Sequence, residues 1–203
     1  MFLKSPPPLV LASTSPYRRA LLERLGVPFE CAAPGVDETP RPGETAARLV
    51  ARLAREKAEA VARRRPDACV VGSDQVAVLD GDGGERLLGK PGTAARCIDA
   101  LAECSGRTVR YLTAVAVRMH RLEPDGGREF LDTTCVRFRT LARAEIERYV
   151  AREAPLDCAG GIKSEGLGIA LCTAIESSDP TALIGLPLIG VAEALRAAGY
   201  PIV

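Results

Sequence analysis

The stretch Leu9-Val10-Leu11-Ala12-Ser13-Thr14-Ser15-Pro16-Tyr17-Arg18-Arg19 changes from a strand signal to a helix signal without a linker. Its apolar run, with prolines before it and hydroxyl residues after it, reads as a buried strand feeding a loop. Ser15 suits an N-cap and Pro16 the first helical position, while Leu21, Leu22 and Leu25 share one face until Gly26 supplies the stop. A strand passing directly into a helix is the repeating unit of an α/β protein.

Outward from there the alternation continues. Between Glu44 and Arg64, Leu49, Val50, Leu53, Ala54, Lys57, Ala58 and Val61 recur at helical spacing. Arg48, Arg52, Arg55, Glu56, Glu59 and Arg63 are expected on the opposite, solvated face. Ala68 to Gly72 reads as a buried strand ending in Ser73-Asp74-Gln75, after which Val76 to Leu79 is extended and the Asp-Gly steps from Asp80 to Gly84 form a hairpin. Thr93 to Glu103 reads as a helix, and Thr108 to Arg118 with Phe130 to Phe138 as two antiparallel strands joined across residues 124–127. Ala144 to Arg152 and Ile189 to Ala198 complete the helices. The pattern predicts an α/β fold with a mixed sheet, in a single domain over residues 1–203.

Composition narrows the function. The 203 residues carry 27 Lys+Arg against 26 Asp+Glu, a net charge of +1, so no global field is available to hold a nucleic-acid backbone. Phosphate recognition has to be local. The seven cysteines are scattered and never spaced CxxC, which favours reduced, buried thiols in a cytoplasmic protein over a disulfide or zinc framework. Residues 1–8 lack the pattern of a secretory signal, and the apolar stretch from Ala182 to Ala192 is broken by Gly185, Pro187 and Gly190. It falls short of the roughly 20 residues that span a bilayer, so no membrane association is expected.

Several residues could carry chemistry. Ser13, Thr14, Ser15, Arg18 and Arg19 crowd a strand-to-helix junction, where free N–H groups and the helix dipole favour an anion. An ordinary N-cap with solvated arginines is the competing reading. Asp74, expected at the end of a buried strand, could hold a metal or accept a proton from water, or merely cap a turn. Asp37 and Glu38 lie in an irregular loop as either site carboxylates or a solvated acidic turn. Lys57 could aim its ammonium at a pocket or snorkel, and Lys90 sits in Gly89-Lys90-Pro91. The segment from Cys158 to Gly168 sets four glycines around Lys163 and Glu165, as a ligand-hugging loop or a hinge. His120, the only histidine, is expected exposed near a hairpin tip, which excludes a histidine triad. Chemistry then rests on carboxylates, cations and a hard metal such as Mg²⁺ or Mn²⁺.

In order along the chain stand Leu-Ala-Ser-Thr-Ser-Pro-Tyr-Arg-Arg at 11–19, Val-Asp-Glu at 36–38, Glu-Lys-Ala at 56–58 and Gly-Ser-Asp-Gln at 72–75. They are followed by Gly-Lys-Pro at 89–91, Ser-Gly at 105–106, Thr-Ala-Val at 113–115, Lys-Ser-Glu-Gly at 163–166 and Ile-Gly-Leu-Pro-Leu at 184–188. Together they resemble the Maf nucleotide pyrophosphatases over nearly the whole chain. The resemblance implies an α/β fold with an elongated mixed sheet flanked by helices, two lobes and a central cleft, related to inosine triphosphate pyrophosphatases. It implies metal-dependent hydrolysis of a nucleoside triphosphate between its α- and β-phosphates. Asp74 matches the proton acceptor, and Ser13, Arg18, Glu38, Lys57, Lys90 and Lys163 the phosphate and metal cluster, with Glu38 and Asp74 toward the metal.

Tyr17, Gln75 and Glu165 match positions associated with base choice. The dTTP/UTP subfamily typically has Arg at the first and Gln at the third, so Tyr17 and Glu165 look like the subfamily hydrolysing 7-methyl-GTP, in which Trp is frequent at the first. An aromatic face suits a cationic methylguanine, and a carboxylate can accept from its N1–H and amine. At 175–180 this chain has Ile-Glu-Ser-Ser-Asp-Pro, where a Gly-Arg pair is more usual between the Glu and the Asp. The alternatives are a dTTP/UTP pyrophosphatase and a nucleotide-binding division regulator without turnover. The resemblance leaves a homodimer open.

Overall fold

The computed structural model describes residues 6–81, 84–119 and 127–203. His120 and turn residues 124–126 lie outside that range. In chain order the elements are β1 (Leu9–Leu11), α1 (Pro16–Glu23), β2 (Phe29–Cys31), α2 (Ala46–Ala62), β3 (Cys69–Gly81) and β4 (Gly84–Leu88). They continue as α3 (Ala94–Cys104), β5 (Thr108–Arg118), β6 (Arg128–Phe138), α4 (Arg143–Glu153), β7 (Cys172–Glu176) and α5 (Leu188–Ala197). Short 3₁₀ turns occupy Ala159–Gly161, Leu167–Leu171 and Ala182–Ile184. The seven strands order as β2-β1-β3-β5-β6-β7, with β4 paired to β3. Parallel β1–β2 and β1–β3 pairs beside antiparallel β3–β4 and β6–β7 pairs make the sheet mixed, as expected.

The chain gathers into two compact units, residues 1–74, 113–132 and 179–203 in the first and 75–112 and 133–178 in the second. In the first, Leu9 and Leu11 of β1 and Cys69 and Val71 of β3 join Leu21 and Leu22 of α1 and Val191 and Leu195 of α5 in one apolar core. Each fully buried Leu or Val there contributes about 1.5–3 kcal/mol. Residues 70, 72 and 74 point to the opposite face of β3, because strand side chains alternate. Helix α2 lies against that face. A β-carbon on Gly72 would sit 2.4 Å from the Ala54 carbonyl oxygen and 2.6 Å from the Ala58 nitrogen, so only glycine lets helix and strand approach this closely.

That contact explains a correction. Gly72-Ser73-Asp74-Gln75 reads locally like the end of a strand, yet β3 runs unbroken from Cys69 to Gly81 and Asp74 stands within it. The glycine serves helix packing rather than a turn. Strands β2 and β7 were not anticipated, being short and without clean alternation: both have mixed exposure, intermediate or exposed at every residue.

In the second unit, α3 packs on α4 and on the turn at Ala159–Gly161. Gly160 and Gly161 both have positive φ, and a β-carbon on either would meet Tyr111 Oη or Cys97 Sγ at 2.7 Å. The glycine-rich segment is thus two tight turns fitted to buried neighbours, which gives its glycines a packing role. Among the described residues no helix is long and apolar enough to cross a membrane.

Candidate active site

Helix α2 starts at Thr45, whose hydroxyl accepts from the Arg48 N–H, and its stripe of small residues brings Ala54 and Ala58 onto Gly72. Lys57 lies between those two contacts in the helix, and Asp74 is two residues beyond Gly72 on the same strand face. The lysine is thereby carried to the carboxylate. Lys57 Nζ lies 2.6 Å from Asp74 Oδ1 and 2.6 Å from Glu38 Oε1. The Lys57 side chain is 6% exposed, Asp74 11% and Glu38 61%, so a buried ammonium bridges one buried and one open carboxylate. The ammonium of Lys57 is buried rather than snorkelling, whereas Asp37 and Glu38 stay exposed on their loop, with Glu38 turned to that ammonium.

Glu38 is presented by a loop that is tied down. Asp37 Oδ1 accepts from the Thr39 N–H at 2.9 Å and the Thr39 hydroxyl at 2.6 Å, closing a local turn. Arg52 then holds the loop to α2. Its guanidinium donates twice to Glu44, at 2.7 and 2.8 Å, once to Glu56 and once to the Thr39 carbonyl. Arg52 was expected on the solvated face; it is buried instead, because Glu44 and Glu56 satisfy it there. The pairing pulls the Glu44 carboxyl down to about 2.

At the first strand-to-helix junction, Ser15 caps α1 by accepting from the Arg18 N–H, and Ser13 Oγ accepts from the Ser15 N–H at 3.1 Å. Ser13 is buried and Tyr17 half-buried. Arg18 donates from Nε to the Gly185 carbonyl at 2.9 Å, and that oxygen also accepts from Ser73 Oγ at 3.0 Å. Burial pushes the Arg18 pKa down, while the charges of Asp74 and Glu38 pull it up. Ser13, Arg18, Glu38, Lys57 and Asp74 therefore all belong to the first unit, with the last three in direct contact and Arg18 within their field.

Gln75, Lys90, Lys163 and Glu165 belong to the second unit. Gln75 follows Asp74 on β3 and is half-buried, whereas Lys90 and Glu165 are exposed. Lys163 Nζ lies 3.3 Å from Glu153 Oε1, and that carboxylate raises the lysine pKa. Glu153 also accepts from the Leu167 N–H at 2.8 Å, and the Lys163 N–H donates to the Tyr149 hydroxyl at 2.9 Å. These bonds set the backbone on both sides of Glu165.

Sequence reasoning missed Arg52, Ser73 and the Gly185 carbonyl. Glu44 and Glu56, eight before and four after Arg52, were the available signal for the first; nothing local marks the others. It also expected most cysteines to be buried. Cys69, Cys97 and Cys104 are, but Cys135, Cys158 and Cys172 are half-buried and Cys31 is exposed; Cys31 and Cys172 fall on the short edge strands β2 and β7. Burial pushes the Cys97 thiol up to about 11 and Cys104 to about 12, which makes both poor nucleophiles.

Two carboxylates converging on one cation offer the hard oxygen donors that Mg²⁺ or Mn²⁺ prefers, and such ions commonly take one or two carboxylates with the rest of their shell from substrate phosphate and water. Glu38 and Asp74 fit that role. Among the described residues no group of three or more metal-ligating side chains occurs, so phosphate oxygens would have to complete the shell.

The fold is that of an α/β protein whose first unit gathers two carboxylates, an ammonium and a guanidinium around β3. The chain belongs to the Maf-like protein family, whose model matches residues 8–198. It is 56% identical over 97% of its length to a 7-methyl-GTP pyrophosphatase of Alkalilimnicola ehrlichii, covering 96% of that protein. It is 55% identical over 96% of its length to one from Xanthomonas oryzae, covering 98% of it. Among solved structures, the Staphylococcus aureus Ham1 protein aligns with 64% of this chain and 71% of its own, at 18% identity and a TM-score of 0.44.

Proposed function

We propose that the protein is a nucleoside triphosphate pyrophosphatase that hydrolyses 7-methyl-GTP to 7-methyl-GMP and pyrophosphate. The observation that carries this reading is identity of 52–56% across nearly the full chain with relatives that bear that activity in their names. The site chemistry supports it. Water adds to the α-phosphorus and gives its proton to Asp74, the bond to the oxygen bridging the α- and β-phosphates breaks, and pyrophosphate leaves with those electrons.

Lys57 orients Asp74 through the 2.6 Å contact and places positive charge beside the reacting phosphate. Arg18, anchored through Nε, presents its terminal nitrogens to phosphate oxygens, and Ser13 adds a hydroxyl at the α1 N-terminus. Lys90 and Lys163 are assigned to the departing pyrophosphate. A divalent ion held by Glu38, Asp74 and phosphate oxygens would supply charge neutralisation. Tyr17 reads the cationic base by its ring face, Glu165 by accepting from N1–H and the exocyclic amine, and Gln75 adds amide contacts.

The test is pyrophosphate release in Mg²⁺ or Mn²⁺ across 7-methyl-GTP, GTP, dTTP, UTP and CTP, with Asp74→Asn alongside. The expected result is preference for 7-methyl-GTP and a loss of about 10²–10⁴-fold in Asp74→Asn. Preference for dTTP or UTP would overturn the base assignment and leave the chemistry standing. Binding of nucleotides without release of pyrophosphate would overturn the enzyme.

A further inference from the structure

We infer that Asp179 and Thr181 are positioning residues for Arg18, acting through the Gly185 carbonyl; the inference rests on Arg18 as a phosphate-binding group. Asp179 is 3% exposed, although it follows Ser177-Ser178 in a segment with every mark of a solvated loop. Its Oδ1 accepts from the Thr181 N–H at 2.8 Å and the Thr181 hydroxyl at 2.6 Å. Its Oδ2 accepts from the Ile189 N–H, in the first turn of α5, at 2.6 Å. A buried carboxylate that accepts from two backbone N–H groups and lies within hydrogen-bond reach of a hydroxyl is held firmly.

Thr181 continues the stitch. Its hydroxyl accepts from the Leu188 N–H at 2.8 Å and lies 2.9 Å from the Leu186 carbonyl oxygen, so its single proton has two acceptors in reach. The two side chains thus close the loop from 179 to 189 across its base. The enclosed backbone passes through the turn Ala182–Ile184 and reaches Gly185 at φ +123, a conformation L side chains avoid.

What the loop delivers is one carbonyl oxygen. It receives Arg18 Nε at 2.9 Å and Ser73 Oγ at 3.0 Å, and a β-carbon on Gly185 would stand 3.4 Å from the same Nε. A guanidinium fixed at Nε has its plane set, which decides where its terminal nitrogens meet a phosphate. Neither Asp179 nor Thr181 needs to touch the substrate to do this.

The test is a double-mutant cycle: Thr181→Val and Thr181→Ser, each with Arg18 intact and in an Arg18→Ala background, read by kcat and KM for 7-methyl-GTP and by thermal unfolding. Residual rates in Arg18→Ala are taken with enzyme in excess. With Arg18 intact, Thr181→Val should lower kcat/KM about 10–100-fold and Thr181→Ser should restore most of it. In Arg18→Ala, Thr181→Val should cost nothing further. Equal losses in both backgrounds, or losses that track only the unfolded fraction, would overturn the inference while the reading of Arg18 stands. An Arg18→Ala protein with unchanged kinetics would overturn that reading and the inference with it. Should Thr181→Val not fold, Asp179→Asn passes through the same cycle.

Discussion

The two units handle charge differently. In the first, Lys57, Asp74 and Arg52 are buried and each is satisfied by opposite charge or by backbone, at contacts of 2.6–3.1 Å. In the second, Lys90 and Glu165 are exposed, and Lys163 leans on Glu153 at 3.3 Å. Buried charges must be paired to be tolerated, so the first unit's groups are preorganised and also part of the fold. Exposed charges stabilise little and can change with substrate without disturbing the protein. On the proposed function, stability and chemistry are therefore coupled in one unit and separable in the other.

The largest effect is expected where the coupling is tightest. Lys57→Met leaves Asp74 buried without its cation, and unfolding in urea should show a loss of about 3 kcal/mol, near the low end for broken buried pairs because Glu38 stays hydrated. Pyrophosphate release should fall about 10²–10³-fold in the same protein. Lys90→Ala, in contrast, should change stability by less than about 0.5 kcal/mol while still slowing hydrolysis. Equal stability losses in the two variants would erase the difference between the units.

Acid sharpens the same contrast. The Glu44 carboxyl is held at about 2 by Arg52, below its ordinary 4.5. A depressed folded pKa means the stabilisation is present above the unfolded value and is lost as pH falls from 4.5 toward 2. Melting temperatures of the native protein should drop through that window, and Arg52→Gln should flatten this part of the slope. Identical slopes in both proteins would show that the ion pair contributes nothing.

The smallest effect belongs to the second unit. Tyr111 Oη is buried and has no hydrogen-bond partner among the described residues, and burial pushes its pKa well up. Tyr111→Phe should leave stability unchanged or raise it by up to about 1 kcal/mol in chemical denaturation. A clear loss would reveal a bond to that hydroxyl.

Much of this was legible in the chain. Ser15-Pro16 and the leucines after it start α1 where expected, and the long amphipathic stretch becomes α2 within two residues of its anticipated bounds, because capping and periodicity are local properties. Lys57 and Asp74 were recognisable as candidates from their neighbours and from resemblance. Their 2.6 Å contact was not, since it depends on Gly72 admitting α2 onto β3. Arg52 was misplaced for a related reason: periodicity assigns a face, but only the loop from Asp37 to Glu44, folding back over that face, buries it.

By itself the sequence determined the alternation of strands and helices, the family, and which side chains carry charge beside glycine and hydroxyl residues. These follow from local sterics, side-chain period and motif order. Only the tertiary structure decided which charges meet. A strand residue, Asp74, and a loop residue, Glu38, converge on Lys57 of a helix, and a carbonyl from the far C-terminal segment receives Arg18, because packing and the need to pair buried charge act across the fold rather than along it.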